Sequence, residues 1–245
     1  MKQDELFALM TELEDDMVEE ATLPQRKRRR LWPLLLGSAA CLVLVILGLS
    51  LFHQGEPVPR SEGVTIQQIE NAPCPTGKNE LIYLTEEELF THFDTAIFRG
   101  TVTGIQNIQL SFNGDNVYRA LATIQVEAVF RGNCTPGDTV SVLLPCPVSN
   151  GVWVEDTEVI SRLQEGMTGI FMPIIYQEDS CWEQNGAKLY LQEVAPYGFA
   201  DGMRYAFLKT DTGVMFARHA YPSMENARTL DEIEAYILAM LDKLS

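Results

Sequence analysis

Side chains able to do chemistry are few in this sequence, and their spacing decides what they could do. There are three histidines, His53, His92 and His219, and no two stand at the spacing of a metal-binding pair. His92 falls between Phe90 and Phe93, which favours a helix-surface or half-buried position over proton transfer. The chain contains no nucleophile elbow, Ser-x-x-Lys, phosphate loop, dinucleotide fingerprint or Cys-x-x-Cys. Acidic loops at Glu155-Asp156-x-Glu158 and Glu178-Asp179 could attract Ca²⁺, but neither has the spacing of a calcium-binding loop, so solvated turns are expected. Asn133-Cys134-Thr135 matches a glycosylation sequon, a common chance match. These residues imply no catalytic centre, no metal and no cofactor. Trp153, Tyr176 and Trp182 could line a ligand surface, although packing into a core is the default for each.

Cysteine placement is more informative. Cys41 sits inside an apolar block, and Cys74, Cys134, Cys146 and Cys181 all follow it. These four allow three disulfide pairings, which spacing alone leaves open. A straight strand over Thr139 to Leu144 would hold Cys134 and Cys146 too far apart to bridge, so that pairing requires a bend.

The apolar block itself runs from Leu31 to Phe52, 22 residues without a charge. At about 1.5 Å per helical residue it reaches roughly 33 Å, enough for a hydrocarbon core of ~30 Å. A soluble core helix of that length would carry a polar stripe, and this one has none. Arg26, Lys27, Arg28, Arg29 and Arg30 abut its near end, whereas Arg60 is the only basic residue in the twenty that follow it. The positive-inside rule therefore predicts a single transmembrane helix over 31–52, with the N-terminus cytoplasmic and the remainder extracytoplasmic. A cleaved signal is disfavoured because the stretch stays apolar beyond Ala39 and Ala40.

The charge divides across that span. Residues 1–30 carry eight acids and six bases, a net of −2, and residues 53–245 carry 26 acids and 12 bases, a net of −14. An outer portion this acidic repels phosphates, so nucleic acid is not expected as a partner. In the tail, Leu6, Leu9, Met10, Leu13 and Met17 recur at spacings of three and four before Pro24, which predicts a short amphipathic helix. With no core of its own to cover, the helix is expected either to dock its stripe on a cytoplasmic protein partner or to remain only partly formed as a frayed acidic tail.

The run Glu5-Leu6-Phe7-x-Leu9-Met10-x-Glu12-Leu13-Glu14-Asp15-Asp16-Met17-Val18-Glu19-Glu20-Ala21, followed by a basic cluster and one span, resembles the front end of bacterial single-pass proteins, anti-sigma-like regulators among them. The resemblance implies a bacterial envelope setting.

Beyond the span, residues 53–79 are rich in Pro and Gly and predict a stalk holding at most one short strand around Val64 to Ile69, with the folded body at 80–245. Thr85-Glu86-Glu87-Glu88 is a capping box opening a short helix through about Phe93. A long strand is predicted from Ala96 to Leu110, and Asn113-Gly114-Asp115 turns the chain. From Val117 to Phe130, Tyr118, Ala120, Ala122, Ile124, Val126, Ala128 and Phe130 share one face, with Arg119, Thr123, Gln125 and Glu127 on a face expected to meet water. Further strands are expected at Thr139–Leu144, Gly169–Tyr176, Lys188–Val194, Arg204–Lys209 and Val214–Arg218. Thr229-Leu230-Asp231-Glu232 opens a terminal helix striped by Leu230, Ile233, Ile237, Met240, Leu241 and Leu244.

The expected fold is mainly β (α+β), an antiparallel OB-like barrel or sandwich with a C-terminal covering helix. The segments Ile97-Phe98-Arg99-Gly100-Thr101-Val102-Thr103, Val126-Glu127-Ala128-Val129-Phe130-Arg131-Gly132, Pro136-Gly137-Asp138-Thr139-Val140-Ser141-Val142 and Leu163-Gln164-Glu165-Gly166 resemble exported bacterial proteins with a small OB-like or netrin-like barrel. That resemblance implies architecture and transfers no functional residue. The two expectations for function are an envelope protein that binds an extracytoplasmic ligand without catalysis, and a regulator whose tail helix holds a partner while the outer domain senses.

Overall fold

A computed structural model describes residues 60–73, 81–148 and 157–245. The tail, the 31–52 stretch, Cys74 and Trp153 lie outside the described residues; among those described, no helix is long and apolar enough to cross a membrane.

The architecture is mainly β, a curled sheet forming a half-barrel. Its spine is one long hairpin, β2 (Ile97–Phe112) and β3 (Asp115–Arg131), joined where Asn113 (φ 48°) and Gly114 (φ 92°) take the left-handed conformations a tight hairpin turn needs. Register shifts at Ile97/Phe98, Arg99/Gly100 and Val102/Gly104 bend this ribbon, so the sheet coils instead of lying flat. Strand β4 (Thr139–Leu144) pairs with Ala120 to Gln125 on the outer side of β3. On the outer side of β2, β5 (Thr168–Phe171) takes Phe98 to Thr101, and β1 (Val64–Gln68) takes Ile108 to Phe112. The one short strand expected within 53–79, around Val64 to Ile69, thus forms and joins the sheet.

Pro173 divides the strand expected at Gly169–Tyr176 in two. After β5 the chain continues as β6 (Ile174–Ile175), which pairs with β9 (Tyr197–Gly198), itself alongside β4. The β4–β9 pair is parallel, which corrects the all-antiparallel expectation. Ala96 donates to the Pro173 carbonyl at 2.9 Å and Ile175 donates to that of Asp94 at 2.9 Å, carrying β6 back against the residues preceding β2. A separate hairpin, β7 (Cys181–Gln184) and β8 (Ala187–Tyr190), lies outside the main sheet, and β10 (Ala206–Thr210) with β11 (Gly213–Met215) extends it beyond β5.

Two helices flank the strands. Helix α1 (Glu86–Thr91) and helix α2 (Leu230–Leu244) both begin in capping boxes, at Thr85 with Glu88 and at Thr229 with Glu232. Each box satisfies backbone donors that the first turn leaves orphaned. Leu230, Ile233, Ile237 and Met240 of α2 are buried, as its stripe requires, and the helix packs on β10 and β5.

The core divides between the two faces of the sheet. Ala120, Ala122, Ile124 and Val126 of β3 face the larger cluster, with Phe98, Phe171, Phe207, Tyr221 and the α2 stripe. The opposite face was expected to be wet, yet Ile108, Leu110, Phe112 and Leu143 are buried there under Ala187 and Leu189 of β8. The covering hairpin explains the difference. Arg119 is half-buried beneath it, with its guanidinium 5.0 Å from the centre of the Trp182 ring, and Trp182 packs in turn on Phe112 at 4.8 Å. Trp182 and Tyr176 therefore serve this second cluster.

Candidate functional site

A cleft lies where α1, the Leu81–Leu84 segment before it, the 3₁₀ turns near residue 220 and the second half of α2 meet. Its volume is about 800 Å³. One wall is the irregular Leu81-Ile82-Tyr83-Leu84 run, and the facing wall includes Pro222, Ser223, Met240 and Lys243. Ile82 and Tyr83 are 64% and 88% exposed, two adjacent large apolar side chains that the domain leaves uncovered. Scattered exposed apolar residues are ordinary; a pair at a cleft mouth is a candidate contact point.

The position of each wall follows from the buried groups behind it. Leu89 and Phe90 anchor α1 in the core. Glu86, in its first turn, accepts from the Ser223 backbone at 2.7 Å and from its hydroxyl at 2.6 Å, tying α1 to the opposite wall. Glu87 pairs with Lys243 near the end of α2. Arg204, 8% exposed, reaches the cleft from below and donates to the Ile82 carbonyl at 2.7 Å, which fixes the apolar wall. Its other side is held by Asp201 at 2.8 Å, and Asp201 also accepts from the backbone of Met203 and Arg204. Hydrogen bonds to Ile82 and to the Met203 and Arg204 backbone thus supplement this buried pair, the condition under which burying charge is tolerated.

Beneath the cleft is a cluster of tyrosines. Tyr221 is fully buried and donates to the Arg204 carbonyl at 2.7 Å. Burial pushes its hydroxyl well above the ordinary tyrosine range and that of Tyr205 up to about 12. The Tyr236 hydroxyl is raised first by burial and then by the nearby Glu86 carboxylate, which it does not engage in hydrogen-bond geometry. All three are neutral at physiological pH. The capping carboxylate of Glu88 is held below the usual range by the Thr85 backbone N–H.

His219 lines the cleft with Glu86 and Glu87, but those carboxylates are engaged by Ser223 and Lys243 and no hydrogen bond joins either to the imidazole. His92 is exposed, its ring edge-on to Phe93 at 4.5 Å. Among the described residues no group of His, Cys, Asp and Glu is arranged to hold a metal ion. The cleft can seat an apolar body against Leu81, Tyr83 and Met240 while charged groups lie at its margin.

Of the cysteines singled out in sequence, Cys134 and Cys146 are buried free thiols and Cys181 is an exposed free thiol. Cys134 lies in the turn before β4, beside Tyr197, and Cys146 follows β4, beside Arg119 and Thr157. The extended β4 between them keeps the two apart. Burial raises both thiols above the ordinary cysteine range. The tail stripe, Leu6, Leu9, Met10, Leu13 and Met17, falls outside the described residues. Comparison of this chain with known protein families, curated proteins and solved structures finds no match.

The cleft was missed in sequence because its walls come from four separated stretches. The available signal was the run Leu81-Ile82-Tyr83-Leu84, apolar and placed directly before a capping box, where a turn would ordinarily be polar.

Proposed function

We propose that this protein is a single-pass membrane protein of the bacterial envelope that presents a binding module outside the bilayer. The observation that carries the reading is the uncharged stretch from Leu31 to Phe52 with five consecutive basic residues on its near side only. The module is an OB-like barrel, a reading supported by the return of β6 to Asp94 and Ala96 at the start of β2. Its ligand face is the cleft beside α1, and the ligand is a partner with an apolar group that seats against Ile82, Tyr83 and Met240. Arg204, Glu86 and Glu87 are held in internal pairs, so they shape the walls and leave no assembled acid–base pair for catalysis. Reporters fused after residue 25 and after residue 245 test the topology: the first is active only in the cytoplasm and the second only outside it. The opposite pattern would overturn the anchor and everything that depends on it.

A second reading rests on the tail. The Leu6, Met10, Leu13 and Met17 stripe has an apolar face with acidic residues around it, suited to a groove on a cytoplasmic regulator, as in the anti-sigma-like proteins its front end resembles. Under this reading the outer module senses and the tail releases or retains its partner. Exchanging Leu6 and Leu13 for Asp abolishes capture of that partner; a wild-type tail that captures nothing specific removes the reading.

A further inference from the structure

Strand β1 is an edge strand without the usual defences. It pairs with β2 on one side only, and among the described residues nothing pairs with Val64 to Gln68 on the other. Exposed edges are normally blunted by lysine, proline, a bulge or a covering loop. Here the sequence is Val64-Thr65-Ile66-Gln67-Gln68, uncharged, free of proline and in unbroken register with β2. Its β-branched residues favour extended backbone. Ile66, at its centre, is 46% exposed.

The direction of the free backbone groups can be worked out. Gly63 accepts from Asn113 and Ile69 donates to Asn107, so odd-numbered residues here turn their backbone groups toward β2. Even-numbered residues turn theirs outward. The β8 hairpin confirms it, because Glu62 exchanges two backbone hydrogen bonds of 2.8 Å with Lys188 on that outer side. The hairpin covers the edge at Glu62 and leaves Val64, Ile66 and Gln68 presenting outward N–H and C=O groups.

We infer that this edge pairs with the same edge of a second copy of the chain, antiparallel and centred on Ile66. A two-fold axis at Ile66 sets Ile66 opposite its equivalent, Thr65 opposite Gln67, and Val64 opposite Gln68. The outward-facing residues are then the ones that meet as hydrogen-bonded pairs, so the ladder closes without a bulge. The register covers all five residues and no charged one. It also sets the exposed Ile66 side chain against its own copy, on the sheet face where Leu110, directly across β2, is already buried. A second copy therefore satisfies the backbone groups and the apolar side chain together, and an isologous interface needs only this one patch. Beyond Gln68 the second copy must turn away, because Lys188 already occupies the edge at Glu62, and with a net charge of −14 over residues 53–245 the acidic surfaces oppose the pairing and salt relieves it. Five residues per copy bury less than a standard interface, so the association is weak and dependent on concentration.

Sedimentation of the full chain in detergent micelles over a concentration series tests this. The wild type shifts from monomer toward dimer as concentration rises, and more readily at higher salt. Ile66→Lys puts two ammonium groups face to face and weakens dimerisation by about tenfold or more. Ile66→Pro removes the outward N–H at the axis while leaving the bonds to β2 in place, and it also returns the chain to monomer. Gln68→Lys, at an exposed site, checks the same edge independently if either Ile66 variant fails to fold. A wild type that remains monomeric throughout, or a dimer that none of the three variants weakens, would overturn the pairing; the latter outcome would locate self-association elsewhere in the chain.

Discussion

The two faces of the β2–β3–β4 sheet are closed in different ways. One carries a cluster of 36 buried residues, in which the sheet's own strands are joined by α1, α2 and the 3₁₀ turns; the other carries a cluster of seven, covered by β1 and the β7–β8 hairpin. On the larger side the cover is a fifteen-residue helix with a continuous apolar stripe. On the smaller side it is a hairpin of two four-residue strands over a half-buried arginine, and burial has lowered the affinity of that arginine for its proton. The contrast teaches that global stability resides on the α2 face, while the hairpin face is a smaller unit able to open alone.

Removing α2 from Thr229 onward should have the largest effect. It uncovers the apolar ground beneath Leu230, Ile233, Ile237 and Met240, each worth ~1.5–3 kcal/mol when fully buried, against a net stability of about 5–15 kcal/mol for a typical domain. The truncated chain is expected to aggregate and to show no cooperative melt; an unchanged melt would mean the two faces are equivalent. Next in size, Ile237→Ala should cost ~2–5 kcal/mol of global stability. Leu189→Ala on the opposite face should instead accelerate hydrogen exchange within Cys181 to Tyr190 and leave β3 protected. Equal losses of melting temperature from the two would break the comparison.

A glycine pair sharpens it within one strand. A Cβ on Gly100 would lie 2.5 Å from the Gln125 carbonyl oxygen and 2.9 Å from Ile124, whereas one on Gly104 would meet nothing nearer than 3.8 Å. Gly100→Ala should therefore cost ~1–3 kcal/mol and Gly104→Ala no more than about 0.5 kcal/mol in denaturant titrations. The smallest effect concerns acid. Backbone N–H groups of Arg228 and then Thr229 hold the exposed Glu232 carboxylate below its usual range. Its stabilising contribution is complete above the unfolded carboxylate value of about 4.3 and is lost as pH falls through the lower folded value. Glu232→Gln should flatten the acid limb of the stability profile. An acid limb identical to wild type would show that the cap does not contribute to α2.

What the sequence disclosed and what it hid divide along physical lines. β3 and β4 were legible because alternation from Ala120 to Val126 is regular, and α2 because a capping box and a 3.6-residue stripe coincide. The two-residue strands β6 and β9 are too short to display any period, and their pairing is dictated by the curl of the sheet. Arg119 looked solvent-facing because alternation within one strand says nothing of a hairpin arriving from residues 181–190. The partner of β1 was equally invisible, since a short polar-looking strand after Pro57 and Pro59 reads as a connector until its neighbour is known. At the cleft, Leu81 to Leu84 was an apolar run without an assigned role, and Arg204 gave no local sign that it would support that run from more than a hundred residues away.

The long span of the closing contacts also bears on the order in which the domain assembles. Lys188 clamps Glu62, and Arg99 bonds Asp231 at 2.8 Å across 132 positions of sequence. The β2–β3–β4 meander can form as soon as residue 144 is made, but the β5–β10 part of the sheet stays uncovered until α2 has been made. Contacts this distant in sequence make folding slow, and the unfinished sheet is exposed to aggregation in the meantime. A chain halted before α2 thus presents a bare sheet face to any chaperone in the compartment where it emerges. Synthesis of α2 is the event that ends this exposure.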